Sequence, residues 1–278
     1  MAGRNVCFCQ LFFCKVDFLS LETNCMTETK QFPKGMVPLG DSVFNFGCHP
    51  GVQCYTLCCR NVDMILYPYD IIRLKSSLGL NSEEFLRRHT TLEKGDNIYF
   101  PTVKLRLDEE SKACPFLAPH GCSVYSDRPT ACRTYPLERA IDRSRNKGAP
   151  DEFYFMTNHS YCFGHAEKTI YNVKNWLRNQ QLFEHNTMND LWAEIDTIFA
   201  GNPWKGEGVA GEKQQLAFLV CYNIDGFRRV IDQHKLLSQF QLAKEVRRRI
   251  ALDDGELLKF GFEWLKLFFN KSTSIIKK

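Results

Sequence analysis

Thirteen cysteines in a chain of 278 residues constrain the fold more than any other feature. An odd number cannot be closed into disulfides within one chain, which argues against a secreted bridge framework. A chain of this length also buries a hydrophobic core without covalent staples. The cysteines are therefore expected as reduced thiols in a cytoplasmic compartment, present for chemistry rather than for folding. The formal charge is +4 with both signs interspersed, so nucleic acid is not an expected partner.

The opening VCFCQLFFC holds an apolar run of about nine residues, interrupted by Gln10 and without a small-residue cleavage site, and is not read as an export signal. Met26 opens a more polar start, MTETKQFPKG, and residues 1–25 are read as an upstream extension. Cys7, Cys9, Cys14 and Cys25 then fall outside the functional set. No apolar run approaches the roughly 20 residues that span a bilayer. Even ELLKFGFEWLKLFFN is broken by Lys259, Glu263 and Lys266.

Composition divides the rest into an N-terminal extension over residues 1–45, a cysteine-cluster metal-binding domain over 46–165 and a helical region over 166–278. YPYDIIRLKSSLGL reads as a helix entered at Pro68 and stopped by Gly79, because Ile71, Leu74 and Leu78 share one face. Asn81 then caps a second helix, with Glu84 three residues on as in a capping box. NIYFPTVKLRL suggests a short hairpin around Pro101, and EFYFMTN another extended segment. Beyond Cys162, TIYNVKNWLRNQQLF, LWAEIDTIFAG, EKQQLAFLVCYNIDGFRRVIDQH, QLAKEVRRRIALDD and GELLKFGFEWLKLFF carry amphipathic helical spacing around a loop at GNPWKGEGVAG. Trp176, Trp192, Trp264 and Cys221 fit the core, and Arg247-Arg248-Arg249 a solvated helix face. The expected fold class is α-rich with minor β, an irregular cysteine-rich metal-binding region followed by a helical C-terminal half.

Eight cysteines are spaced as Cys48-x5-Cys54-x3-Cys58-Cys59, Cys114-x7-Cys122-x9-Cys132 and Cys162. If residues 54–59 are helical, Cys54 and Cys58 lie one turn apart and can grip one metal, while Cys58 and Cys59 point apart and take different roles. Pro115, Pro119 and Gly121 set the second group in turns. Asp127-Arg128-Pro129 reads as a cap and first turn ahead of Cys132, with Arg128 and Arg133 beside thiolates or paired with Asp127 or Glu138. The bland alternative is that free cysteines are small buried apolar residues. Structural zinc prefers four ligands in paired short knuckles, which Cys54-x3-Cys58 satisfies but the second group does not, whereas iron–sulfur clusters accept wider thiolate-only spacing. Iron–sulfur is therefore expected ahead of zinc. His49, His120, His159 and His165 each lie within three residues of one of these cysteines, although a histidine so placed more often supports a ligand than acts as one.

CYTLCCRNVDMILYPYDIIRLKSSLGLNSEEFL and CPFLAPHGCSVYSDRPTACRTYP resemble the YkgJ-like cysteine-cluster family, also described as the CxxCxxCC zinc- or iron-chelating domain family, over about residues 46–165. The resemblance is carried by Cys58-Cys59-Arg60, by Pro68-Tyr69-Asp70-Ile71 with Arg73-Leu74, and by Cys122 to Tyr125 leading into Arg128-Pro129, Cys132-Arg133 and Tyr135-Pro136. It implies a metal-binding set of Cys48, Cys54, Cys58, Cys59, Cys114, Cys122, Cys132 and Cys162, the last assigned by position and count. The spacing departs from the family's alternative name, with x5 and x3 where that name has x2 and x2. Flagellin lysine N-methylases carry a related domain, but no glycine-rich loop here independently supports a nucleotide-containing methyl donor. The expected activity is that of an iron–sulfur protein that transfers electrons or supports modification of a partner protein. The alternative is a structural zinc scaffold without catalysis. No serine–histidine–acid set, phosphate loop or paired-carboxylate motif names a catalytic residue.

Overall fold

The computed structural model describes Phe32 and residues 35–142, 151–207 and 210–278; the readings on residues 1–31, including Cys7, Cys9, Cys14 and Cys25, lie outside these described residues. The described chain is helix-rich with minor strand, and its C-terminal half is helical. Contacts gather it into two compact units that interleave in sequence. One comprises Thr56–Arg133 and Gln181–Lys278; the other comprises the described residues up to Tyr55 and Thr134–Gln180.

In the first unit, helix α1 spans Pro68–Ser77 with Pro68 at its first turn, where a missing N–H costs nothing. Asp70 Oδ2 accepts the Tyr67 N–H at 3.0 Å to close that turn, and Gly79 leaves the helix at φ +64°. Helix α2, Ser82–His89, starts as its sequence predicts, Asn81 Oδ1 accepting the Glu84 N–H at 2.9 Å. The hairpin expected around Pro101 is differently built. Strand β3, Thr102–Leu105, follows Pro101, but its antiparallel partner is β2, Thr90–Glu93, issuing directly from α2. The intervening loop is pinned by Asn97, which donates to Asp196 Oδ1 at 2.8 Å, and Phe100 buries against Phe199 at 4.4 Å between ring centroids. An apolar anchor in the loop thus displaces the turn from the proline.

The helical core of this unit comes from α5 (Leu182–Ala200), α6 (Glu212–Tyr222), α7 (Ile224–Gln233), α8 (Lys244–Leu252) and α9 (Asp254–Phe268). Helix α9 packs on the other four and buries Leu258, Phe262 and Leu265. Gly261 permits the close approach, since a Cβ there would stand 2.7 Å from Val220 Cγ1 and 3.0 Å from the Phe227 ring. Trp192 and Cys221 are buried as expected and Trp264 is packed against the core, while Trp204, in the loop before α6, is buried as well. No described helix is long and apolar enough to cross a membrane.

A carboxylate fastens the end of the chain to α9. Glu263 accepts from Lys266 Nζ at 2.8 Å, from Thr273 Oγ1 at 2.9 Å and from the Ser274 N–H. Burial alone would raise its pKa, but the Lys266 ammonium and the donors of residues 273–274 outweigh burial and hold the carboxyl down at about 2, against an ordinary 4.5. A depressed folded pKa stabilises above the unfolded value and is lost as pH falls through the folded one. Glu263→Gln is therefore expected to lose about 1–3 kcal/mol at neutral pH. The gap from the parent should close between pH 4.5 and 2 in urea unfolding; a gap independent of pH would refute this account.

In the second unit, β1 (Val43–Asn45) pairs antiparallel with β8 (Ile170–Asn172), and β6 (Leu137–Asp142) with β7 (Asp151–Met156), which realises the extended segment expected at EFYFMTN. Helix α4, Val173–Asn179, follows β8 and is capped by Asn172, whose Oδ1 accepts the Asn175 N–H at 2.8 Å. Its Trp176 is buried against Phe44 and Phe46, and its indole N–H donates to the Thr134 carbonyl at 2.9 Å.

Candidate metal centre

Backbone pairing assembles five of the eight sequence-predicted cysteines within the first unit. Cys58 and Cys59 lie in a single 3-10 turn, Leu57–Cys59, preceded by Thr56 at φ +65°. That left-handed residue stops any continuous helix over 54–59. The helical condition that would set Cys54 and Cys58 one turn apart is therefore not met.

Residues after the vicinal pair run antiparallel to the segment before Cys114. The Cys114 N–H donates to the Cys59 carbonyl at 2.8 Å, Asn61 N–H to the Lys112 carbonyl at 2.9 Å, and Arg60 bridges Ala113. Strands β4 (Leu117–Ala118) and β5 (Gly121–Cys122) then form a two-residue hairpin that places Leu117 opposite Cys122. Gly121 takes φ +122° in the turn, a value closed to side-chain-bearing residues. The Ser123 N–H closes the hairpin on the Phe116 carbonyl at 2.9 Å.

Cys132 sits in α3, Thr130–Thr134, and what anchors that short helix comes from far away in sequence. Asp70 Oδ1 accepts both the N–H and the hydroxyl of Thr130 at 2.8 Å. Since the hydroxyl proton goes to Asp70, His185 Nδ1–H donates to Thr130 Oγ1 at 2.9 Å. Asp70 is fully buried, and Thr130 and His185 nearly so. Asp127 pairs with Arg73 at 2.6 Å, and the Arg128 guanidinium lies 3.9 Å over the Tyr125 ring.

The thiols act on one another. The Cys58 S–H donates toward Cys59, and this contact, with burial, pushes the Cys58 thiol far up. Burial raises Cys114 and Cys122; Cys122 adds to the first shift, and the Arg128 charge partly offsets the second. Cys132 is pushed well up, first by desolvation and then by Cys114, Cys58 and Cys122. The residue nevertheless keeps contact with solvent. Of the arginines expected beside thiolates, Arg128 is felt by Cys122, whereas Arg133 donates to the Ser126 carbonyl.

The second unit carries the other three cysteines. Cys54 Sγ accepts the Phe163 N–H at 3.1 Å and lies within hydrogen-bonding reach of the Cys162 thiol. Burial raises the Cys162 thiol. Cys48 follows Gly47, whose N–H donates to the Gly164 carbonyl at 3.0 Å. His49 is engaged at both ring nitrogens, Nδ1 accepting from Gly51 N–H at 3.2 Å and Nε2 facing Glu167 at 3.3 Å.

Among the described residues no group of three or more Cys, His, Asp or Glu side chains stands ready-made around a single point. The donor chemistry nonetheless fits a thiophilic metal: five neighbouring thiols, two of them exposed, whose ionised forms would repel one another without a cation. Sequence reading passed over Asp70, Thr130 and His185 as supports, because no local pattern relates positions 55 and 60 residues apart. Residues 48–163 match the family model of the CxxCxxCC domain, described as a putative zinc- or iron-chelating domain. No curated protein and no solved structure matches the chain.

Proposed function

Because residues 48–163 belong to the CxxCxxCC family of zinc- or iron-chelating domains, we propose that the chain is an iron–sulfur protein that transfers electrons or supports modification of a partner protein. Metal binding follows from the family; the choice of iron–sulfur and the role are the proposal. The observation that carries it is the grouping of Cys58, Cys59, Cys114, Cys122 and Cys132 in one unit, coupled thiol to thiol. Five neighbouring thiols exceed the four of a closed structural zinc site, and their spacing matches no zinc knuckle. An iron–sulfur cluster would supply one-electron chemistry there. The protein groups supply the rest: the 59–61 and 112–114 pairing, the β4–β5 hairpin and the Asp70-held α3 each position thiols, and Arg128 offsets their negative charge. Cys58 and Cys132 are exposed, which suits access by a partner protein, and thiols of this kind call for a reducing compartment such as the cytoplasm.

Anaerobic purification with iron, acid-labile sulfide and visible absorbance measured together is the test. Iron and sulfide in comparable amounts with a broad visible band are expected. Colourless protein carrying zinc and no sulfide would replace this reading by the structural zinc scaffold.

A further inference from the structure

We infer that the eight cysteines serve two separate metal sites, one in each compact unit, and that Cys48, Cys54 and Cys162 are completed by His165 Nε2 into a three-sulfur, one-nitrogen site suited to zinc. The inference rests on the metal-binding reading above and goes beyond it in ligand set, stoichiometry and metal.

Contacts within the second unit carry it. The Cys54 and Cys162 thiols already meet, and the Phe163 N–H points at Cys54 Sγ from 3.1 Å. That backbone contact fixes Cys54 Sγ beside the turn that follows Cys162. Cys48 is carried to the same turn by the bond from Gly47 N–H to the Gly164 carbonyl. His165 belongs to the 3-10 turn Phe163–Ala166 that begins directly after Cys162. Cys162 is the extended residue that caps this turn, three positions before His165, so the two side chains leave the chain within one short turn of each other.

The histidine is prepared as a ligand. One ring nitrogen of His165 hydrogen-bonds the Thr157 backbone, while Nε2 is buried and meets no partner among the described residues. The bonded nitrogen is therefore Nδ1, and because a carbonyl only accepts, Nδ1 carries the proton. That leaves a bare lone pair on Nε2, the tautomer in which a carbonyl-oriented histidine binds metal. His49, whose two nitrogens are already engaged, is not the fourth donor. Three thiolates and one imidazole make up a common closed zinc set, whereas the five-thiol group offers sulfur alone. Among the described residues no three donors converge on one point, so metal binding is expected to bring these four together.

The test uses the full chain, reduced and anaerobic, with Co²⁺ and Zn²⁺ as probes and total metal, iron and sulfide counted per chain. Cys162→Ser and His165→Ala are each expected to lose one Co²⁺ equivalent and its mixed sulfur–nitrogen spectrum while keeping the iron and sulfide of the five-thiol site. Cys114→Ser should do the converse, and His49→Ala should change neither count. Zinc-edge X-ray absorption of the unmutated protein, which needs no variant to fold, should count three sulfurs at about 2.3 Å and one nitrogen at about 2.0 Å. Loss of all metal together in Cys162→Ser, or a zinc shell without nitrogen, overturns the two-site inference alone. An unmutated protein that takes up no metal overturns the metal-binding reading itself.

Discussion

Asp70→Ala should be among the most damaging single substitutions outside the cysteines, lowering stability by about 3–5 kcal/mol. Asp70 is fully buried and accepts three hydrogen bonds, from the N–H of Tyr67 at 3.0 Å and from the N–H and hydroxyl of Thr130 at 2.8 Å. Truncation leaves those donors buried without an acceptor, and His185, bonded to the same hydroxyl, loses its orientation. The first bond closes the start of α1; the other two hold the start of α3, which bears Cys132. Stability and metal content should therefore fall together. Asp70→Asn keeps the shape and one acceptor oxygen but turns an amide NH₂ toward existing donors, so a smaller loss of roughly 2 kcal/mol is expected. Denaturant unfolding measures both. A loss under 1 kcal/mol for the alanine variant would mean that the carboxylate does not hold the two segments.

Metal loading should collapse with acid, and the metal-free protein should behave in the opposite sense. Burial and neighbouring sulfur raise the thiols of Cys58, Cys114, Cys122, Cys132 and Cys162, so metal must displace a proton from each thiol it takes. Apparent affinity should then fall about tenfold per pH unit for every proton displaced. The sign reverses without metal. A thiol whose folded pKa is raised contributes stability below the unfolded value, near 8.5, and loses it as pH rises further, because the unfolded chain ionises first. Metal-free protein should therefore weaken above about pH 8.5 while the loaded protein is strongest there. Competition with a chelator across pH 6–9 and thermal unfolding of both forms measure the two trends. Proton release below one per metal, or no crossing of the two stability profiles, would show that the thiols are not the ligands.

Much of the architecture follows from local chemistry that can be read along the chain. Pro68 and Gly79 bracket α1, the Asn81 side chain starts α2, and the apolar spacing beyond Cys162 forms the helices of the C-terminal half. Such signals act over three or four residues, through one hydrogen bond or one shared face, so they survive without knowledge of the rest of the fold. Pro115, Pro119 and Gly121 likewise announce the turn that the β4–β5 hairpin occupies.

The hairpin near Pro101 shows where such reading stops. Alternation identified β3, but its partner was chosen by the loop between them, whose Phe100 had to reach an aromatic core supplied by Phe199 and Trp204 about a hundred residues later. Trp204 was unremarkable in a glycine-rich loop for the same reason: its burial depends on partners that no local window contains.

By itself the sequence determined that a cysteine-cluster region of a metal-chelating kind lies in the first part of the chain and that helices follow it. Only the tertiary structure decided how they divide, with Cys58, Cys59, Cys114, Cys122 and Cys132 in one unit and Cys48, Cys54 and Cys162 in the other. Sequence spacing argued for Cys54 with Cys58, four residues apart. A left-handed Thr56 separates them, and backbone pairing over more than fifty residues brings Cys59 to Cys114 instead. The physical reason is that a thiol's neighbours are set by where distant segments bury their apolar faces and satisfy their buried N–H and carbonyl groups, and those demands are met only when the whole chain is folded.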